Sequence, residues 1–129
     1  MGYVFAELLL SNPRFPQQSP IAVKARVDSA AYLTCIPEHL RRQLQLDETS
    51  KRPVTLADGS TVEAPYVGPL FVRFADREAF SGALVLGDEV LLGAVAMEDM
   101  NVSINPRAQK LVVNEGPMPG IVGGVRPAQ

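Results

Sequence analysis

One cysteine and one histidine in 129 residues close several chemical routes at the outset. A lone thiol, Cys35, has no intrachain partner, so no disulfide framework calls for an oxidising compartment, and the expectation is a free thiol in a cytoplasmic protein. One His and one Cys are also too few for a closed zinc site within a chain. No metal and no cofactor is expected. Positive charge is not in excess either: 12 Lys and Arg stand against 14 Asp and Glu, a formal net charge of -2. The signs are interspersed, which leaves no basic field for phosphate backbones and excludes nucleic acid as an expected partner. A phosphate-binding glycine loop is missing. So is a long hydrophobic run: Met1 to Leu10 has an apolar run too short to span a bilayer and lacks the basic start of a signal peptide. That segment reads as a strand, and no membrane partner is expected.

What is there is a chain long enough for one independent core, able to bury roughly two thirds of the surface its unfolded form exposes. The folded domain is expected over residues 1–113. Residues 114–129 hold four glycines and three prolines, a composition with no core of its own. Tyr3 to Leu10 predicts a first strand, closed by Ser11-Asn12-Pro13, and Pro13, Pro16 and Pro20 keep the next segment irregular. Ile21 to Val27 alternates apolar and polar residues, so it reads as a half-buried strand delivering Asp28 at its end. Tyr32 to Ile36 predicts a short buried strand. Ile36, Leu40 and Leu44, spaced by four with Glu38, Arg41 and Arg42 between them, predict a short amphipathic helix over Pro37 to Gln45.

Period two returns in Pro53 to Ala57 and Ser60 to Ala64 around Asp58-Gly59, a hairpin signal whose Asp-Gly suits a type I′ turn. A second pair, Leu70 to Phe74 and Ala79 to Leu86, flanks a polar turn at Ala75 to Glu78. Val90 to Gly93 is a short apolar strand, Val95 to Met100 one or two helical turns, and Val102 to Asn105 with Lys110 to Val113 a further hairpin. Many short strands with only two short helical stretches mean an all-β sandwich or small barrel. The strand ending Val27-Asp28-Ser29-Ala30 has a faint echo in Val90-Leu91-Leu92-Gly93-Ala94.

Two chemical candidates follow from the residues alone. Asp28 stands on a loop at the end of a rigid strand, a placement that suits a reactive carboxylate, although an acidic residue at such a junction more often hydrogen-bonds its own turn. Cys35 and His39, four apart, suggest a thiol with a base; a buried cysteine beside a surface histidine is the preferred reading. The acidic pairs Asp47-Glu48, Asp76 with Glu78, Asp88-Glu89 and Glu98-Asp99 fall at turns and helix ends, where solvated charge is ordinary. Met97 and Met100 are expected to fill the core beneath the second helix.

Three segments in order make the chain resemble the small single-domain aspartic proteases of the retroviral, or retropepsin, type, and their bacterial members in particular. Val27-Asp28-Ser29-Ala30-Ala31 lies where that family has apolar-Asp-Thr/Ser-Gly-Ala. Leu56 to Val62 looks like its flap, and Val90-Leu91-Leu92-Gly93 with the following helix and strand looks like its apolar-apolar-Gly element. The resemblance implies a small closed β-barrel with one or two short helices. It also implies a homodimer in which the Asp28 carboxyls of two chains meet and activate water against a peptide bond, with no metal or covalent intermediate. Ser29, Ala30 and Ala31 would support the active-site loop, Ser29 through its hydroxyl across the dimer contact, and Leu91, Leu92 and Gly93 would support it from the core. Ala57, Asp58, Gly59 and Ser60 would close over a peptide or protein substrate, and the tail would contribute to the dimer interface. Ala30 replaces the family's glycine, which leaves a second expectation: a catalytically weak or inactive dimer of the same fold that binds peptide or serves as a structural module.

Overall fold

The computed structural model describes residues 2–116. In order the chain forms β1 (Val4–Ser11), β2 (Ile21–Val27), β3 (Cys35–Ile36), α1 (Glu38–Gln43), β4 (Asp47–Thr55), β5 (Thr61–Phe74), β6 (Arg77–Val85), β7 (Val90–Leu92), α2 (Ala94–Met100), β8 (Val102–Asn105) and β9 (Lys110–Val113). Of the Gly- and Pro-rich tail, Asn114 to Gly116 follow β9, and 117–129 lie outside the described residues.

Alternation builds the barrel. On β1, Ala6, Leu8 and Leu10 turn inward and are buried, while Phe5, Glu7 and Leu9 face out, as the two-residue period of a strand dictates. β1 pairs antiparallel with β2 from Val4↔Val27 to Leu10↔Ile21. Its far end also pairs with β5, Leu9↔Arg73 to Ser11↔Phe71, and that contact closes the six-strand ring β1-β2-β7-β3-β6-β5, with β4 appended to β5 outside it. Closure leaves the ring no free edge. The interior is packed with aliphatic side chains: Leu8, Leu10, Ile36, Leu70, Val72 and Leu92 are each at most 1% exposed, and full burial of each stabilises by about 1.5–3 kcal/mol. α1 adds Leu40 and Leu44 to this core; α2 adds Ala96, Met97 and Met100; the β8-β9 hairpin adds Val102 and Leu111. The chain is thus the small closed β-barrel with two short helices that the resemblance implies, where strand spacing alone left a sandwich or a small barrel open.

Several boundaries differ, for identifiable reasons. Only Cys35 and Ile36 of the expected strand Tyr32 to Ile36 are in a ladder, because the carbonyls of Ala31 and Tyr32 accept instead from the first turn of α2, and only from Thr34, whose carbonyl accepts from Leu84 N–H at 2.9 Å, does the chain join β6. α1 stops at Gln43, with Pro37 as its N-cap and Gln45 at φ +55° ending it. The buried Asn12 closes that helix from outside, its Nδ2 donating to Leu44 O at 3.0 Å. β4 begins at Asp47, well before the expected Pro53, and its exposed residues Asp47 to Pro53 face solvent on both sides, so no apolar alternation marked them. β5 runs unbroken through Pro65 and Pro69, where two separate strands are expected from the sequence. A bulge resolves the conflict: Val67 pairs with Ala83 and Leu70 with Ser81, so Gly68-Pro69 together face Gly82 and Pro69 donates nothing to the ladder. The β4-β5 turn is not type I′. Gly59 has φ +87° but Ala57 and Asp58 keep negative φ, and Gly59 N–H bonds Leu56 O at 2.9 Å, the pattern of a turn followed by a glycine bulge.

The polar run Asp76-Arg77-Glu78 hides an inward arginine. Ala75 and Asp76 make the turn and Phe74 pairs with Arg77, which directs Arg77 inward and leaves it 9% exposed. Its Nη1 donates to Met100 O at 3.4 Å, and its Nη2 donates to Asn114 O and Gly116 O at 3.1 Å each. One guanidinium therefore ties the end of α2 to the segment leaving β9. Arg77→Met keeps the stem and removes the donors; leaving these carbonyls unmatched should cost roughly 2–4 kcal/mol, read as a lower urea midpoint at unchanged slope, and a shift below about 0.5 kcal/mol would contradict the role.

Candidate active site

The site is made where the chain crosses over itself. β2 and β7 run parallel, Ala25↔Val90 to Val27↔Leu92, while β3 returns antiparallel on the other side of β7, Cys35↔Leu91. The loop 28–34 must therefore step over the C-terminal end of β7. It is bonded down along its whole length: Asp28 N–H to Leu92 O at 3.0 Å, Ala94 N–H to Ala31 O at 2.8 Å, and Val95 N–H to Tyr32 O at 3.1 Å. The last two use the first turn of α2, which has no side-chain cap, so the loop carbonyls satisfy donors the helix itself leaves open. The buried Thr34 completes the set, its Oγ1 accepting from Gly93 N–H at 3.2 Å. Gly93 is required by space: a β-carbon there would lie 2.5 Å from Leu33 C, 2.6 Å from Leu33 O and 2.9 Å from Thr34 N, all backbone atoms.

Asp28 occupies the first position of a tight turn, Ala31 N–H bonding its carbonyl oxygen at 3.1 Å. Its Oδ1 accepts from Ala30 N–H at 3.0 Å. The turn-stabilising reading of this aspartate is therefore realised, and it uses one carboxylate oxygen only. Oδ2 makes no hydrogen bond among the described residues. Ser29 and Ala30 are exposed at the tip of the loop, and the Ser29 hydroxyl likewise has no partner among the described residues.

A cleft of about 700 Å³ opens beside Asp28, between this loop and the β4-β5 hairpin. Asp28, Ala30, Ala31, Leu91 and Ala57 line it together. Leu92 and Gly93 lie beneath the loop, Ser29 outside the cleft, and Asp58, Gly59 and Ser60 beyond it at the hairpin tip. The tip is self-contained: Asp58 Oδ1 accepts from Ser60 N–H at 2.9 Å and from its hydroxyl at 2.6 Å. These bonds hold the Asp58 carboxyl below its usual range. The wall between loop and hairpin is a second apolar cluster, separate from the barrel core, in which Cys35, Ala64 and Leu84 are buried and Leu33, Val54, Tyr66, Leu86 and Leu91 half-buried.

Cys35 belongs to this wall. Burial pushes its thiol pKa up, and the Asp28 carboxylate adds to the shift, the opposite of what a nucleophilic thiolate needs. Cys35 lies in β3 and the exposed His39 in α1, so the two do not share a helical face. Sequence reasoning missed Thr34, Arg52 and Tyr66. Thr34 carried no local signal, and the other two meet only through the register of the β4-β5 hairpin.

The crossing predicts two graded effects. Gly93→Ala forces backbone against backbone and should destabilise by at least 1–3 kcal/mol, the cost of overpacking a site that cannot give. Thr34→Val keeps the shape and strands a buried N–H, costing roughly 1–3 kcal/mol. Thermal unfolding checks both, and a Gly93→Ala protein as stable as wild type would show that loop and strand are not locked together.

No protein-family profile matches the chain, and no curated protein sequence does. Among solved structures it is similar to EIAV protease complexed with the inhibitor HBY-793, with a TM-score of 0.58 over 78% of this chain and 89% of that one, at 15% sequence identity. At that identity the likeness concerns the backbone, and the chain has a retropepsin-like fold.

Proposed function

We propose that the protein is a homodimeric aspartic endopeptidase in which Asp28 of each chain supplies half of one active site, as in the retropepsins and in particular their small bacterial members. The observation that carries this reading is the setting of Asp28. A rigidly bonded loop presents a carboxylate with one oxygen held and the other open, at the side of a cleft wide enough for a peptide, with the loop tip exposed. Among the described residues the cleft of one chain holds a single carboxylate, whereas water activation at a peptide bond calls for a base and an acid together. A second copy docked tip to tip supplies the other. Two close carboxyls cannot both ionise cheaply, so the pair holds one proton and titrates as a unit, the known behaviour of aspartic-protease dyads. The ionised member takes a proton from water while the protonated one polarises the scissile carbonyl. Ser29, exposed and without a hydrogen-bond partner among the described residues, bonds across the dimer contact in this reading, and Ala57 to Ser60 act as the flap over the substrate.

The second reading, a dimer that binds peptide without cleaving it, is favoured by Ala30, whose methyl replaces hydrogen beside the carboxylate. Its backbone does not lie in the left-handed region, so alanine fits the loop of one chain. What the methyl would crowd is the approach of the second loop.

Activity should appear at mildly acidic pH, where the pair carries one proton, and fall on either side. A peptide-library digest across about pH 3 to 7 reads this. Asp28→Asn preserves shape and removes the ionisable group, so it should abolish cleavage without unfolding the protein; persistent cleavage would move the chemistry to another residue.

Ala30→Gly separates the two readings. If the methyl holds the loops apart, cleavage should rise tenfold or more, a scale set by the roughly 100-fold sensitivity of catalytic geometry to about 1 Å. Stability should fall by roughly 0.4–1 kcal/mol, since glycine adds unfolded-state freedom where alanine is compatible with the native backbone. A folded, dimeric Ala30→Gly protein with no detectable cleavage would favour the binding module.

A further inference from the structure

The Asp28 cleft carries one cation without an ion-pair partner among the described residues. Its lining residues with fixed charge are Asp28, Arg26 and Arg52. Arg26 is engaged: its guanidinium lies 4.5 Å from the centroid of the Tyr3 ring, and its Nε is 3.4 Å from Glu89 Oε1. Arg52, on the solvent-exposed strand β4, makes no ion pair and no side-chain hydrogen bond among the described residues. Its close neighbour is an aromatic face, with Cζ 3.8 Å from the centroid of the Tyr66 ring.

That stack is built by the sheet. Arg52 pairs with Ala64, and Tyr66, two residues on, is the diagonal neighbour on the same face. Behind the ring stands Gly82, where a β-carbon would come within 2.3 Å of Tyr66 Cζ and 2.5 Å of its Oη. Glycine there lets Tyr66 lie where it does, and Tyr66 in turn fixes Arg52. A guanidinium is planar and carries five N–H donors in that plane, and those of Arg52 have no side-chain or ion-pair partner among the described residues. The group whose paired acceptors match that fork is a carboxylate. Beside Tyr32, Cys35 and Thr55, the uncharged part of the lining is mostly aliphatic, with Leu33, Val54, Leu84, Leu86 and Leu91.

We propose that Arg52, held over the Tyr66 ring, is a carboxylate receptor that makes the cleft select peptides carrying an acidic side chain close to an apolar one. The proposal rests on the reading of the cleft as a peptide site, and not on cleavage.

The test is a set of labelled decapeptides with an apolar core and Glu or Gln at each position in turn. Binding to the full chain is read by fluorescence anisotropy near pH 6, where a Glu side chain is ionised, and cleavage is read in parallel by mass spectrometry. At one position Glu should bind about tenfold or more tighter than Gln, the scale of a hydrogen bond to a charged group. Arg52→Gln should bring that ratio close to one, Arg52→Lys should restore it in part by keeping charge without the fork, and added salt should lower it. Equal binding of Glu and Gln peptides, a preference that survives Arg52→Gln, or no binding by any peptide would each overturn the proposal. Cleavage with no Glu preference would remove the receptor and leave the peptidase; Glu-selective binding without cleavage would do the reverse.

Discussion

Two stretches of backbone meet at Gly93 with no side chain between them, and the candidate site depends on that contact. The loop that presents Asp28 passes directly over the junction of β7 and α2. The hydrogen bonds that Leu92 O accepts from that loop and that Gly93, Ala94 and Val95 donate to it hold only at the separation glycine permits. A flexible loop would leave a carboxylate to wander; this one is held by a strand end, a helix start and a buried hydroxyl. Its rigidity comes from the topology, since β2 and β3 flank β7 and the chain between them has nowhere else to go.

The rest of the molecule divides around that crossing. The closed ring packs its aliphatic core on one side, and a smaller apolar cluster of Leu33, Val54, Leu84 and Leu91 lies under the β4-β5 hairpin on the other. The hairpin stands clear of the ring, which is why β4 is polar on both faces and why its tip is stabilised by its own Asp58 and Ser60. Buried polar groups appear where elements must be tied together: Asn12 on the end of α1, Arg77 on the end of α2, Thr34 on the loop. Each satisfies backbone groups that would otherwise be buried unpaired.

Much of this was legible in the sequence because most strands bury one face. Period two found β1, β2, β6 and the β8-β9 hairpin, and a spacing of four found α1 through Ile36, Leu40 and Leu44. Where neither face is buried the pattern is silent, so Asp47 to Arg52 went unassigned. Where a bulge absorbs Gly68-Pro69, the prolines suggested a break that does not exist. The segment Tyr32 to Thr34 looks like strand by composition, yet Tyr32 O accepts from the start of α2 and the Thr34 hydroxyl from Gly93 N–H, which no local rule reveals. Asp28 stood out because a carboxylate at a strand end is locally odd. Arg52 did not, since its stack on Tyr66 exists only once the hairpin register is known.

The central claim is that one active site needs Asp28 from two chains. Mixing wild-type protein with Asp28→Asn protein, allowing exchange, and measuring cleavage against the wild-type fraction tests it directly. If two chains share the site, activity follows the square of that fraction, about one sixteenth at a fraction of one quarter, because random two-fold pairing leaves few dimers with both aspartates. Activity that falls in simple proportion, to about one quarter, would mean that each chain works alone.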